Sequence, residues 1–221
     1  MTQEKTKRRA RPMSGAAYPY FMGDLESSCG WYSCINALRV CLSGTPQRDS
    51  FYHDLIRHLV REVNPSLQTY VIAGLDIGDV AQVLAATATF VNRRLGLRLR
   101  FSRPFLRRRR DLSQVECFGE IEGYIGRQRH ACLLAFGTKY HRYHWTVPVR
   151  ITPRTIQVAD SCNDKVIRRR GLRMATSGTR CGPSYWLPKA TFVLSLSPDR
   201  LPVSRASALY TATSSSPLVR T

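Results

Sequence analysis

The sequence has few acidic residues for its size. Its 221 residues include 34 lysines and arginines but only 15 aspartates and glutamates, which gives a formal net charge of +19. An excess of this size attracts polyanions such as nucleic acids or acidic proteins. Part of the excess stands in three basic clusters at residues 5–11, 107–110 and 168–170. Solvated surface charge without a partner explains such clusters equally well.

The sequence also lacks paired cysteine motifs and long apolar runs. None of its seven cysteines forms a Cys-x-x-Cys pair, so neither a disulfide framework nor a zinc ribbon is predicted. No apolar run of signal-peptide length precedes Pro19, and no stretch of about 20 apolar residues follows, so no membrane span is predicted. We therefore expect a reducing cytoplasm as the default location. Export by a route without a cleaved signal would leave no mark in the sequence.

The composition predicts one folded domain with polar ends. Hydrophobic residues make up 43% and charged residues 22%, which is typical of globular proteins rather than disordered ones. Residues 1–13 are basic and without periodicity, and residues 200–221 are rich in serine, threonine and alanine. Both segments are predicted to be mobile tails. The folded unit is then residues 14–199, which fits the usual size of one domain.

Apolar periodicity predicts helices in the first half of the chain. Residues 29–42 contain no proline and place Cys34, Leu38 and Cys41 on one helical stripe. Serines and an acidic residue precede this segment, which suits a helix start. Further helices are predicted over residues 49–63 and 79–95, and a weaker one over residues 113–127.

The second half of the chain alternates in the way that β-strands do. Strands are predicted over residues 131–136, 144–151, 155–160 and 191–196. A turn at residues 152–154 would join the second and third of these as an antiparallel hairpin, which brings His144 beside Asp160. The predicted fold class is α+β, with an N-terminal helical part packed on a C-terminal antiparallel sheet.

A cysteine at the start of a helix is the main candidate for chemistry. Cys29 takes this position, where unpaired N–H groups and the helix dipole favour a thiolate. Gly30 leaves room for a substrate carbonyl to approach the backbone. His144 can take up and return a proton, and Asp160 can orient the imidazole. These residue types predict a catalytic triad of Cys29, His144 and Asp160 that forms a covalent acyl-thioester intermediate and needs no cofactor.

Several strings carry a family resemblance: Ser28-Cys29-Gly30, Asn36-Ala37-Leu38, His144-Trp145-Thr146-Val147 and Ile156-Gln157-Val158-Ala159-Asp160. Over residues 19–165 the chain resembles the papain-like cysteine peptidases that process bacteriocin leaders at the front of peptide exporters, and their stand-alone relatives. This group is similar in layout to phytochelatin synthases. The resemblance implies a papain-like fold and a bacterial peptidase, amidase or acyl transferase. Its substrate would be a peptide or another amide or thioester.

One position departs from the family pattern. The family commonly carries a glutamine about six residues before the cysteine, and this side chain helps to bind the oxyanion. Here Gly23 stands at that position and Asp24, which would repel an oxyanion, follows it. Either backbone N–H groups, including that of Cys29, bind the oxyanion, or the chain is a weakened or non-catalytic relative.

Other candidates remain open at single positions. His141 is an alternative base, and Asn163 or Asp164 could replace Asp160. Trp31 and Trp145 either line the cleft or pack in the core. Cys34, Cys41, Cys117 and Cys132 are expected to be buried filler. A metal site of Cys29, Cys34, His141 and His144 has spacings that fit no familiar centre, so no metal is predicted.

Three functions are compatible with these patterns. The first is a thiol hydrolase or acyl transferase. The second is a basic protein that binds nucleic acid or an acidic partner through residues 1–13, although no helix-turn-helix, zinc-finger or aromatic ribonucleoprotein signature accompanies the charge. The third is a papain-like fold kept as a non-catalytic binding module.

Overall fold

The computed structural model describes residues 28–63, 74–108, 112–138, 144–162, 165–175 and 184–198. These residues form four α-helices and eight β-strands, a mixed α+β architecture. The helices are α1 (Cys29–Cys41), α2 (Asp49–Glu62), α3 (Ile77–Leu95) and α4 (Gln114–Ile125). The strands are β1 (Leu97–Ser102), β2 (His130–Thr138), β3 (His144–Ile151), β4 (Thr155–Ala159), β5 (Val166–Arg168), β6 (Arg173–Met174), β7 (Ser184–Trp186) and β8 (Phe192–Pro198).

The predicted helices and the four predicted strands are confirmed, each within about two residues of its expected ends. Strand β1 and the short strands β5, β6 and β7 were not predicted. The predicted tails, residues 1–13 and 200–221, lie outside the described residues. Within the part of the chain that the structure describes, every helix falls short of the length and apolar content that crossing a membrane requires.

The strands form one sheet in the order β1, β8, β2, β3, β4, β5. Every neighbouring pair along this order is antiparallel. Strand β7 also pairs with β2, and β6 runs parallel to β7. The predicted hairpin is the pair β3 and β4, whose strands meet at Val147 opposite Ala159 and Ile151 opposite Ile156.

Helices cover both faces of the sheet. Alternation along β2 shows this directly: Ala131, Leu133 and Ala135 pack with α1, α2 and α3, whereas Cys132, Leu134 and Phe136 pack with α4. The predicted fold packed an N-terminal helical part on a C-terminal antiparallel sheet, and it did not foresee α4 on the opposite face. The reason is that alternate strand residues point to opposite faces, so an apolar strand buried on both faces needs two covering layers.

Strand β3 changes its buried face along its length. Trp145 and Val147 belong to the core under α1, but Ile151 belongs to the core under α4. The pairing with β4 shifts register between Pro148 and Arg150. A bulge of this kind adds a residue to one strand, and this reverses the face on which the following residues lie.

Candidate active site

Cys29 is the first residue of α1, the helix that packs on β2 and β3. The N-cap residue of α1 is Ser28, and its side chain makes no capping hydrogen bond. The hydroxyl of Ser33, one turn further along, donates a 2.7 Å hydrogen bond to the carbonyl oxygen of Trp145. Because Trp145 directly follows His144 in β3, this bond fixes the start of α1 beside the start of that strand.

Gly30 packs against Leu75. A Cβ atom at Gly30 would lie 2.8 Å from Leu75 Cδ1, which is closer than real contacts allow. The space that the sequence analysis assigned to an approaching carbonyl is therefore filled by Leu75 on that side. The indole N–H of Trp145 donates to the carbonyl oxygen of Leu75 at 2.9 Å, and Trp145 is fully buried, so it packs in the core. Trp31 is partly buried and packs against the same core.

The hairpin brings His144 and Asp160 together. Their Nε2 and Oδ2 atoms are 2.7 Å apart, and Asp160 is the first residue after β4. The Asp160 side chain is fully buried, and 13% of the His144 side chain is exposed. The other carboxylate oxygen, Oδ1, accepts a 2.7 Å hydrogen bond from the backbone N–H of Cys162. These contacts leave the Nδ1 side of the imidazole for other partners.

The pair is charged because each partner stabilises the ionised form of the other. Burial acts to lower the pKa of His144, but hydrogen bonds to Asp160, Cys162 and Cys29 raise that pKa well above its ordinary value. Burial acts to raise the pKa of Asp160, but the hydrogen bond and the charge of His144 lower it below its ordinary value.

Cys162 is a second thiol at this site, and the sequence analysis did not predict it. Its Sγ atom is 3.9 Å from His144 Nδ1, and the residue is exposed. Its position follows from the Asp160-Ser161-Cys162 spacing, because an aspartate side chain commonly accepts the backbone N–H two residues later. That local motif is the signal from which its place beside His144 could have been found.

The remaining described cysteines are buried, as expected of structural residues. Burial raises the pKa of Cys34 and Cys41, and it raises the pKa of Cys117 to about 11 and that of Cys132 to about 12. These thiols are therefore protonated near neutral pH.

Several predicted residues lie outside the described residues. They are Gly23, Asp24, His141, Asn163 and Asp164. The expected effect of Asp24 on the oxyanion and the alternative roles of the other residues stay predictions. Among the described residues, His144, Asp160 and Cys162 form a group whose nitrogen, oxygen and sulfur donor atoms all lie within 4.8 Å of one another.

Comparisons with models of known protein families, with curated proteins and with solved structures found no match to this chain. The site is therefore interpreted from its own geometry and chemistry.

Proposed function

We propose that this chain is a thiol-dependent hydrolase or acyl transferase of papain-like fold, with Cys29 as nucleophile, His144 as base and Asp160 as the orienting residue. The observation that carries the proposal is the 2.7 Å contact between His144 Nε2 and the buried carboxylate of Asp160. A buried carboxylate on one ring nitrogen fixes the imidazole and leaves the other nitrogen for a nucleophile. The position of Cys29 at the start of α1, packed on β2 and β3, supports the papain-like arrangement.

The reaction starts from a thiolate on Cys29 and an imidazolium on His144. The sulfur attacks the carbonyl carbon of an amide, isopeptide or thioester, and a carbon–sulfur bond forms. His144 then gives its proton to the leaving nitrogen or sulfur, which departs and leaves a thioester on Cys29. Water or another nucleophile enters next, gives its proton to His144 and displaces the thiolate. Hydrolysis and acyl transfer differ only in this second nucleophile.

We assign oxyanion stabilisation to the backbone at the start of α1. The first turn of a helix presents N–H groups that have no partner within the helix. Removing one oxyanion donor typically lowers the rate by on the order of 100–1,000-fold. With Gly23 at the position of the family's glutamine, we therefore expect a slower enzyme than a peptidase that keeps that side chain.

An activated ester tests the first half of this reaction without knowledge of the natural substrate. We expect p-nitrophenyl acetate to transfer one acetyl group to the reduced chain, with release of nitrophenolate. Peptide mapping by mass spectrometry should place the acetyl group on Cys29. His144→Gln should slow this acetylation by on the order of 100-fold or more, since proton transfer by a positioned side chain contributes about that much.

The matched control is Cys117→Ala, which removes a buried thiol on α4 and leaves the site untouched. This variant should be acetylated at the wild-type rate. Acetylation that maps to Cys162, or an unchanged rate in His144→Gln, would contradict the assignment of nucleophile and base. If the chain is not acetylated at any cysteine, it is a binding module rather than an enzyme.

A further inference from the structure

A cleft of about 430 Å³ lies where β1 ends. Ligand pockets in proteins commonly measure about 300–1,000 Å³ and combine a mostly apolar lining with a few polar groups. The lining of this cleft has both kinds of side chain. Its apolar residues are Phe101, Pro104 and Leu106, and its charged residues are Arg103, Arg107 and Arg108.

Leu106 gives the cleft an exposed apolar wall. Its side chain is 41% exposed, and among the described residues only three other large apolar side chains are exposed. Of these four, Leu106 is the one that lines the cleft. A ligand with an apolar group therefore gains free energy by covering it, in proportion to the apolar area removed from water.

Two of the arginines are held in place by the fold and keep donors free for a ligand. Arg103 donates through Nε and Nη2 to the carbonyl oxygen of Lys189, and Arg108 pairs with Glu120 at 2.6 Å. A guanidinium has five N–H donors, so these contacts do not use all of them. Arg107 is exposed and has no hydrogen-bond or ion-pair partner among the described residues. Because fixed side chains lose little entropy on binding, this arrangement favours an anion.

The positive surface continues from the cleft along β1. The apolar residues of β1 pack in the core beneath α1, α2 and α3, so Arg98, Arg100 and Ser102 point to the opposite face. All three are exposed, because α4 packs on β2 and β3 and β8 lies between β1 and those strands. Ser102 also lines the cleft. The two arginines therefore form a row that leads into it, with about 7 Å between alternate residues.

The charge and shape of this surface favour an acidic peptide over a nucleic acid. Among the described residues that line the cleft, none is acidic. Single-stranded nucleic acids bind through exposed aromatic rings that stack on bases. The ring of Phe101 is only partly exposed and packs 6.2 Å from that of Phe192. Leucine and proline walls suit an aliphatic side chain instead.

We propose that the cleft and the arginines of β1 form a docking site for an extended acidic segment of a partner protein. Acidic side chains at alternate positions of such a segment repeat about every 7 Å, which matches the spacing of Arg98 and Arg100. An aliphatic side chain then enters the cleft beside Leu106, and a further carboxylate pairs with Arg107. The site uses neither Cys29 nor His144, so it goes beyond the proposed function and does not depend on it.

A peptide that reads the same in both directions tests the site without knowledge of the partner. The probe is fluorescein-labelled Glu-Ser-Glu-Ser-Leu-Ser-Glu-Ser-Glu, and its fluorescence anisotropy is measured with the full-length chain at low salt. We expect saturable binding. Arg100→Gln combined with Arg107→Gln should weaken it about tenfold, since each exposed ion pair contributes up to roughly fivefold in affinity.

The matched control removes the same charge from the opposite edge of the sheet, with Arg168→Gln combined with Arg170→Gln. This variant should bind the peptide within about twofold of the wild type, because charges beyond about 10 Å are largely screened. Circular dichroism checks that each variant folds. Equal weakening in the two double variants would mean that net charge alone attracts the peptide, and it would overturn the proposal.

Leu106→Ser tests the apolar part of the site. It should weaken binding about fivefold, because the leucine of the peptide loses an apolar partner. Val166→Ser is the control, since Val166 is 49% exposed and lies on β5 at the far edge of the sheet. The proposal fails if the two serine variants bind equally well, or if the wild type shows no saturable binding. It also fails if a single-stranded oligothymidine with as many negative charges binds the same arginines more tightly than the peptide.

Discussion

Asp160 contacts two other residues of the site, one through each of its carboxylate oxygens. One carboxylate oxygen contacts His144, and the other accepts the backbone N–H of Cys162. Because the side chain is fully buried, water cannot replace either contact if the charge is removed. Asp160 therefore positions both the imidazole and the second thiol.

Asp160→Asn is expected to lower the free energy of unfolding at pH 7 by about 2 kcal/mol, since hydrogen bonds to charged groups contribute about 1.5–3 kcal/mol. Urea unfolding measures this loss. Asp54→Asn is the matched control, because Asp54 is partly exposed and pairs with Arg57 and Arg94. Exposed pairs contribute less than about 1 kcal/mol. An equal loss in the two variants would refute a special role for Asp160.

The difference in stability between wild type and Asp160→Asn should depend on pH. The pKa of Asp160 is lowered from 3.8, so its contribution is present above pH 3.8 and is lost as the pH falls through the folded-state pKa. The pKa of His144 is raised from 6.5, so its contribution is complete below pH 6.5 and is lost as the pH rises through the raised value.

The difference is therefore expected to be largest between pH 3.8 and 6.5. The thiols of Cys29 and Cys162 also face the imidazole, so the same series in Cys162→Ser tests their influence. Urea midpoints measured from pH 2 to 9 give the profile. A difference that stays constant over this range would show that the two side chains are not coupled.

Cys29→Ala separates catalysis from packing at the same residue. We expect it to abolish acetylation by p-nitrophenyl acetate, while the free energy of unfolding falls by only about 1 kcal/mol, as for deletion of one small buried group. Cys34→Ala, at a fully buried position on the same helix, is the comparison for stability. A loss above about 3 kcal/mol in Cys29→Ala alone would assign Cys29 a packing role instead.

At the level of secondary structure, the parts that the sequence predicted are those with local signals. The stripe of Cys34, Leu38 and Cys41 predicted α1, and alternation predicted β3 and β4. Strands β5, β6 and β7 have only two or three residues, which is too short to show a period of two. Strand β1 is an exception, because Leu97, Leu99 and Phe101 alternate with arginines and this local signal was missed. Its pairing with β8, nearly a hundred residues away, has no local pattern.

Gly30→Ala tests how α1 is held against the segment that contains Leu75. The added Cβ would lie 2.8 Å from the Leu75 side chain, so we expect a loss of about 1–3 kcal/mol from overpacking. Gly119→Ala in α4 is the matched control, because nothing lies within 4 Å of its Cβ position. Alanine there should stabilise the chain by about 0.5–1 kcal/mol.

If Gly30 packs against Leu75 in this way, the melting temperature should be lower in Gly30→Ala and higher in Gly119→Ala than in the wild type. Glycine at position 75, in the double variant Gly30→Ala with Leu75→Gly, removes the Cδ1, Cγ and Cβ atoms that lie 2.8–3.0 Å from the added Cβ, at the cost of a cavity. The loss of stability in the double variant should then be smaller than the sum of the losses in the two single variants. Strict additivity would mean that the two positions do not interact.

For the whole molecule, two arginines of the basic clusters make packing contacts in the folded structure. Arg108 pairs with Glu120 at 2.6 Å and lies over the ring of Phe105. Arg169 lies over Phe118 and donates to the carbonyl oxygen of Thr152. Such contacts hold the layer that contains α4 on the sheet. The excess of charge is a count from the sequence, but the sequence could not show which arginines pack because that depends on long-range contacts.

The net charge of +19 predicts binding to a polyanion. The logarithm of the binding constant for duplex DNA should fall linearly with the logarithm of salt concentration, with a slope of about 0.9 for each phosphate contacted. Replacing the five basic residues of the arm with glutamine tests whether residues 1–13 make those contacts. The residues changed are Lys5, Lys7, Arg8, Arg9 and Arg11. If all five residues contact phosphates, the slope should drop by about 4.5.

The control removes the same amount of charge from exposed positions of the folded unit. These positions are Arg93, Arg98, Arg100, Arg168 and Arg170. Fluorescence anisotropy with a labelled duplex, measured over a salt series, compares the two variants with the wild type. A large drop in the slope of the salt dependence for the arm variant alone locates the phosphate contacts in the arm. The reason is that release of counterions depends on the charges that touch phosphate rather than on net charge. Equal, small changes in both variants would show that the charge is solvated and serves no nucleic acid partner.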